Sequence, residues 1–170
     1  MKRRSVLKNL TVAFGGLASL PAWASGWTPE SIGTFTAVSP DNENLLAEIV
    51  ETIIPETTTP GAKSLKVHQF ALRMINDCYG ETAQTTLKQG LTKTDEMAQQ
   101  AYSKGFVACD AKQRMDIFQK MTNDPAAKSF AQMIKNLTIR GYTNSEYYMT
   151  NVLNYNMAPG FYHGCVPVKK

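Results

Sequence analysis

The stretch from Ser39 to Ala62, SPDNENLLAEIVETIIPETTTPGA, decides the fold because a complete helix signal is followed by a loop signal. Ser39 is a typical N-cap residue, and proline suits the first helical position, here Pro40. The apolar residues after it recur with helical spacing: Leu45, Leu46, Ile49, Val50 and Ile53. Pro55 then ends the helix, and Thr59-Pro60-Gly61 predicts a turn.

The same kind of pattern continues along the chain. A second helix carries apolar residues from Val67 to Cys78 and ends near Gly80, and a third runs from about Glu81 to Ser103, with Gly105 as its C-terminal cap. The stripe expected to pack in the third helix is Leu87, Leu91, Thr94, Ala98 and Ala101.

Three further helix starts are predicted. Asp110 with Gln113 forms a capping box for the fourth helix, and Asp124-Pro125 opens a fifth that ends at Gly141. Thr143 with Glu146 predicts a second capping box, which opens a short last helix reaching Leu153.

Together these signals predict an all-α protein, a single compact bundle of about five or six helices over residues 39–153, with an extended C-terminal tail. No strand-like alternation and no internal repeat occurs. Residues 25–38 are expected to be extended, and residues 154–170 to form a partner-binding tail.

The net positive charge of the chain comes from its first 24 residues. The 170 residues have a net charge of +4, from 18 Lys and Arg against 14 Asp and Glu. Lys2, Arg3, Arg4 and Lys8 supply four of the positive charges, so residues 25–170 are neutral overall. A neutral domain gives no reason to expect a nucleic-acid partner.

Residues 1–24 have the organisation of an export signal. The basic start is followed by an apolar middle too short to span a bilayer and by Ala22-Trp23-Ala24, after which cleavage is expected. Arg3 and Arg4, followed after a spacer by Leu7 and Lys8, resemble a twin-arginine signal. The alternatives are an ordinary secretory signal with a chance arginine pair, or an N-terminal membrane anchor.

Residues 25–170 lack the motifs of a catalytic, cofactor or metal site. The glycines are isolated, no haem-attachment motif is present, and His68 and His163 stand alone. We therefore expect no catalytic residue, no cofactor and no metal in this chain. Because the twin-arginine route carries folded proteins, the exported cargo is expected to include a partner that lacks its own signal.

The C-terminal region has the composition of a protein interface. Residues 141–168 contain one full charge, Glu146, and six of the fourteen aromatic residues beyond position 24. This composition favours partner binding and packing on the chain's own bundle about equally.

Three cysteines in an exported chain leave at least one unpaired. Cys78 and Cys109 lie at helix ends, and either bridge to each other or remain buried thiols. Cys165, in the tail, is the best candidate for an intermolecular disulfide.

Four short motifs in order resemble the gluconate 2-dehydrogenase subunit 3 family. They are Glu51-Thr52-Ile53-Ile54-Pro55, Thr59-Pro60-Gly61-Ala62, Gly141-Tyr142 with Ser145-Glu146, and Pro159-Gly160-Phe161-Tyr162-His163-Gly164-Cys165. The resemblance covers most of residues 40–167.

The resemblance implies a small subunit of an exported, membrane-bound sugar or sugar-acid dehydrogenase. Its large partner would be a glucose-methanol-choline-type flavoprotein with FAD, a multi-haem cytochrome c subunit would carry electrons onward, and the twin-arginine translocase would export the pair to the periplasm. The expected partner-facing residues come from the loop and the tail: Ile54, Pro55, Pro60, Gly61, Tyr142, Tyr148, Tyr155, Pro159, Gly160, Phe161 and Tyr162.

Two other functions stay open. The chain could be a free-standing periplasmic chaperone or binding module that releases its client, or a small enzyme with an unrecognised site. The substrate of the complex is not encoded in this subunit.

Overall fold

The computed structural model describes residues 39–156, 158 and 160. Within these residues the protein is all-α, as the helical spacing predicts, and no strand is present. The α-helices are α1 (Pro40–Ile53), α2 (Val67–Asp77), α3 (Glu81–Tyr102), α4 (Ala111–Asn123) and α5 (Lys128–Thr143). A 3-10 turn (Phe106–Ala108) and a π turn (Tyr148–Val152) complete the described elements.

The start of α1 has the predicted cap. Ser39 is extended and its Oγ accepts a hydrogen bond from the backbone N–H of Asn42 at 3.4 Å. The helix ends at Ile53, two residues before Pro55, and buries Leu46, Ile49 and Val50 completely. This buried face attaches α1 to the rest of the bundle.

Helix α5 forms the centre of the bundle and packs against all four other α-helices. Its Phe130 lies so close to Gly90 of α3 that a Cβ at position 90 would be 2.1 Å from the ring. Gly141, near the other end, likewise lies against Val67 and Phe70 of α2. The close approach of the backbones at these glycines fixes how α2 and α3 lie on α5.

The few polar side chains in the core are satisfied within their own helices. Thr52, Thr94 and Thr138 each donate a hydrogen bond to the carbonyl four residues earlier, at 2.7–2.8 Å. The hydroxyls therefore need no partner from another element.

The end of α3 differs from the prediction. Ser103, not Gly105, takes the left-handed conformation that ends the helix, with φ at 53°. Gly105 instead precedes the 3-10 turn, and Ala101 is exposed rather than part of the buried stripe. The Asp110–Gln113 capping box of α4 is confirmed, with the Asp110 N–H donating to Gln113 Oε1 at 3.0 Å.

Both predicted boundaries of α5 were wrong. A turn separates Asp124-Pro125 from the first residue of the helix, Lys128, and the helix passes through Gly141 to Thr143. The glycine does not end the helix because its missing side chain is used for packing on α2.

The second predicted capping box was also wrong. Thr143 is still helical, and its hydroxyl donates to the Ile139 carbonyl at 2.9 Å. Ser145 takes the capping role, because its Oγ accepts from the Tyr148 N–H at 3.3 Å. The segment that follows is a π turn, with the Leu153 N–H bonded to the Tyr148 carbonyl at 3.0 Å.

The export-signal residues Arg3, Arg4, Leu7, Lys8, Ala22 and Ala24 and the segment 25–38 lie outside the described residues. Among the helices that the structure describes, none has the length and apolar character needed to cross a membrane.

Candidate functional site

The loop between α1 and α2, residues 54–66, has a defined backbone. The Ala62 N–H donates to the Ile54 carbonyl at 2.9 Å, which closes the base of the loop. At the tip, the Thr57 N–H donates to the Thr59 carbonyl at 3.0 Å. Lys66 ends the loop in the left-handed conformation, with φ at 54°.

A carboxylate from α1 organises this loop from below. Glu51 accepts the Glu56 N–H at 2.7 Å through Oε1 and the Lys63 N–H at 2.9 Å through Oε2. Gly61 passes directly over it, so that a Cβ there would lie 2.5 Å from both oxygens. Charge-assisted bonds to backbone N–H groups are among the stronger hydrogen bonds, so Glu51 holds the two sides of the loop together.

A second carboxylate connects the loop to α4. Glu48, only 12% exposed, pairs with Lys63 Nζ at 2.5 Å and with the guanidinium of Arg114. Arg114 also donates to the Val107 carbonyl at 2.6 Å. Burial disfavours the charged form of Glu48, but hydrogen bonds and charges from Lys63 and Arg114 outweigh it and lower the pKa of the carboxyl below its ordinary 4.5.

The loop and the C-terminal end of α5, both predicted to face a partner, are joined directly. Tyr142 Oη donates to the Pro60 carbonyl at 3.0 Å, and the ring meets Tyr148 edge-on with centroids 5.9 Å apart. The two segments, far apart in sequence, therefore form one continuous surface.

Next to this contact lies an open groove of about 570 Å³, here named the terminal groove. Its floor is apolar or small and at least half-buried: Leu65, Val67, Phe70 and Gly141. Its rim is polar except for one tyrosine: Asn144, Ser145, Glu146, Tyr147, Thr150 and Asn151. The groove is thus built from the end of the loop, the start of α2, the end of α5 and the π turn.

The structure places only some of the predicted partner-facing residues on the surface. Pro55 and Gly160 are exposed and Tyr155 is 53% exposed, whereas Gly61 is buried. The residues of intermediate exposure are Ile54, Pro60, Tyr142 and Tyr148. Pro159, Phe161 and Tyr162 lie outside the described residues.

Two neighbours of Tyr155 extend the exposed surface. Val152 and Leu153 are 49% and 55% exposed, although the helical spacing had suggested a packed face. With Tyr155 they supply exposed apolar surface, here named the apolar patch, that follows the rim residues Thr150 and Asn151 in the sequence.

Of the two alternatives for Cys78 and Cys109, the disulfide is absent, and both residues are free thiols. Cys78 is exposed just beyond the end of α2, whereas Cys109 is buried with its Sγ 3.5 Å from the Gly105 carbonyl. One thiol points to solvent and the other into the core, so the alternative of a buried thiol holds for Cys109 alone. Cys165 lies outside the described residues.

His68 is the one histidine that the described residues contain. Its Nε2 lies 3.8 Å from Glu43 Oε1, and its Nδ1 is buried without a hydrogen-bond partner. Burial lowers the pKa of His68, with Lys63 and Lys66 acting in the same direction and Glu43 opposing them. In the described part of the chain, no group of three or more His, Cys, Asp or Glu is placed to hold a metal ion.

Sequence reasoning missed the residues that build the surface from beneath. Glu48 and Glu51 resemble ordinary exposed helix residues in sequence. No local pattern relates Glu51 to the N–H groups of residues 56 and 63, or Glu48 to the side chains of Lys63 and Arg114. In the sequence, the rim amides of Asn144 and Asn151 stand out only as parts of a segment with a single charge.

Comparison with known proteins adds one finding. The family model described as gluconate 2-dehydrogenase subunit 3 matches residues 40–160. No curated protein and no solved structure matches the chain. The matched range contains the loop, the whole of the terminal groove and the apolar patch.

Proposed function

Because this chain belongs to the gluconate 2-dehydrogenase subunit 3 family, we propose that it is the non-catalytic small subunit of a periplasmic FAD-dependent dehydrogenase at the inner membrane. In this proposal it provides twin-arginine export and folding support for the flavoprotein subunit. The flavoprotein is of the glucose-methanol-choline type and carries the FAD. A multi-haem cytochrome c subunit of the same complex receives the electrons.

The family match carries the proposal, because it spans the surface that a partner would contact. The loop, the terminal groove and the patch of Val152, Leu153 and Tyr155 are mostly uncharged. Neutral, Tyr-containing surfaces with polar rims are typical of subunit interfaces. We assign the flavoprotein to this surface.

The export part of the proposal rests on the sequence of residues 3–8. A twin-arginine signal needs the arginine pair itself, whereas an ordinary secretory signal needs only positive charge. The double substitution Arg3→Lys and Arg4→Lys keeps the charge and removes the pair, so it separates the two routes.

The test follows both subunits in cells that contain the complex. With the double substitution, we expect this chain and the flavoprotein to stay in the cytoplasm, while Lys2→Arg, as the control, leaves export intact. Normal export of the flavoprotein after the double substitution would contradict the proposal.

Co-purification tests whether this chain remains bound to the flavoprotein in the complex. A tagged small subunit should retain the flavoprotein in fixed stoichiometry after extensive washing. Release of the flavoprotein once it has bound FAD would instead indicate a chaperone that does not stay in the complex.

A further inference from the structure

The polar groups on the rim of the terminal groove present mainly acceptors to a ligand. Asn144 Nδ2 donates to the Arg140 carbonyl at 2.7 Å, and Asn151 Nδ2 donates to the Tyr147 carbonyl at 3.1 Å. Because a carbonyl can only accept, the amide nitrogens must face the chain's own backbone. The amide oxygens are then the groups left for a ligand.

The hydroxyl groups of the rim show the same bias. Ser145 Oγ donates to the Tyr142 carbonyl at 2.6 Å, and Thr150 Oγ1 donates to the Glu146 carbonyl at 2.8 Å. Each hydroxyl has a single proton, and in both cases that proton is already used. A ligand that brings hydrogen-bond donors therefore suits these two hydroxyls and the two amide oxygens.

Glu146 gives the groove its only full charge. The residue is exposed, and among the described residues its carboxylate has no ion pair and no hydrogen-bond donor. The carboxylate and the amide oxygens of Asn144 and Asn151 together make a negative rim, for which residues 39–156 supply no counterion.

The floor of the groove is apolar, in contrast to its polar rim. Leu65 and Phe70 are half-buried and Val67 is buried, so a ligand lying along the groove contacts hydrocarbon on the floor and polar groups on the rim. An arginine side chain fits both parts, because its aliphatic stem packs on apolar surface and its guanidinium offers five donors in a planar fork.

The π turn is an independent sign of function at this place. A π helix is rare, and it occurs mostly as a single turn, frequently at functional sites. Here it carries Thr150 and Asn151 onto the rim.

We propose that the terminal groove binds an arginine side chain of the flavoprotein subunit. The stem packs on Val67 and Phe70, and the guanidinium binds Glu146 and the amide oxygens of Asn144 and Asn151. This inference rests on the proposed function, since it names the group that the partner contributes to the interface.

The test measures the affinity of the purified flavoprotein for variants of this chain. Glu146→Lys should weaken binding by roughly 30-fold or more, because it places two cations together at an interface. Glu146→Gln should weaken it less and reduce its dependence on salt. Glu96→Lys, an equal charge change on α3 outside the groove, should leave the affinity within about threefold, because it lies outside this contact. Circular dichroism confirms that the variants are folded.

A photo-crosslinking residue at position 150 then identifies the contacting residue of the flavoprotein. Changing that arginine to Glu should restore binding to the Glu146→Lys variant. Wild-type-like affinity of Glu146→Lys, or equal weakening by Glu96→Lys, would overturn the inference but not the proposed function. A crosslink to a second copy or to the chain's own tail would also overturn it. Failure of the wild-type chain to bind the flavoprotein would overturn the proposed function itself.

Discussion

Gly61 lies against the Glu51 carboxylate, with room for a hydrogen but not for a methyl group. The same carboxylate accepts the N–H groups of Glu56 and Lys63. The glycine and the glutamate are therefore one structural unit, which makes the loop a fixed surface rather than a variable connection.

The substitution Gly61→Ala should lower the free energy of unfolding by about 1–3 kcal/mol. The added Cβ would lie 2.6 Å from the Glu56 nitrogen as well as against the carboxylate, so at least one hydrogen bond must be lost. Urea unfolding measures the change. Gly80→Ala is the matched control, because nothing lies within 4 Å of a Cβ at that position. Equal stability of the two variants would contradict the prediction.

Removal of the Tyr142 hydroxyl should detach the loop from α5. We expect Tyr142→Phe to cost about 1 kcal/mol of stability, because the Pro60 carbonyl loses its donor at 3.0 Å. Hydrogen exchange of the loop amides should also accelerate. Tyr148→Phe serves as the control, since its hydroxyl makes no hydrogen bond with the described residues. If the loop amides exchange at the same rate in both variants, the hydrogen bond from Tyr142 to Pro60 does not hold the loop.

His68 should make the protein less stable in mild acid. Its pKa is lowered in the folded state by burial, so the unfolded chain takes up the proton first as the pH falls below the ordinary value of 6.5. The free energy of unfolding should therefore fall as the pH drops through 6.5, and His68→Gln should make that fall smaller. An unchanged pH slope in His68→Gln would refute the prediction.

Glu48 should also contribute stability that is lost as the pH falls, but in a more acidic range than His68. The lowered pKa of Glu48 means that its contribution is complete above 4.5 and disappears as the pH falls through the folded-state value. Glu48→Gln should cost about 1–2 kcal/mol at neutral pH and much less in strong acid. Glu96→Gln removes only a surface pair with Lys93 at 3.6 Å, and should change stability by less than about 0.5 kcal/mol.

The helices could be predicted where apolar residues recur with helical spacing over a long segment and where the capping contacts are local. Ser39 and Asp110 carry out their capping roles because each acts on backbone only three residues away. The all-α class follows from the same local patterns, which need no knowledge of the neighbouring helices.

The errors occur where a residue serves a distant part of the chain. Gly141 has the sequence context of a helix end, but it packs on α2 and the helix continues past it. Glu51 has the context of a solvated residue, but it organises a loop that closes twelve residues later. These roles depend on tertiary contacts, so no local pattern could reveal them.

The surface itself could be predicted only as two separate segments. Composition and family resemblance indicated the loop and the tail, and the Tyr142–Pro60 bond shows that they meet. The donor and acceptor pattern of the groove depends on which way each amide faces, and that is a property of the folded chain.

The bond between Tyr142 and Pro60 spans 82 positions, from the first loop to the end of the last α-helix. Half of the surface is synthesised early and half late, and neither half exists as a binding site without the other. A partner that recognises this surface thereby recognises a completed bundle. An unfinished or misfolded copy lacks this surface, so a partner that binds it selects correctly folded copies.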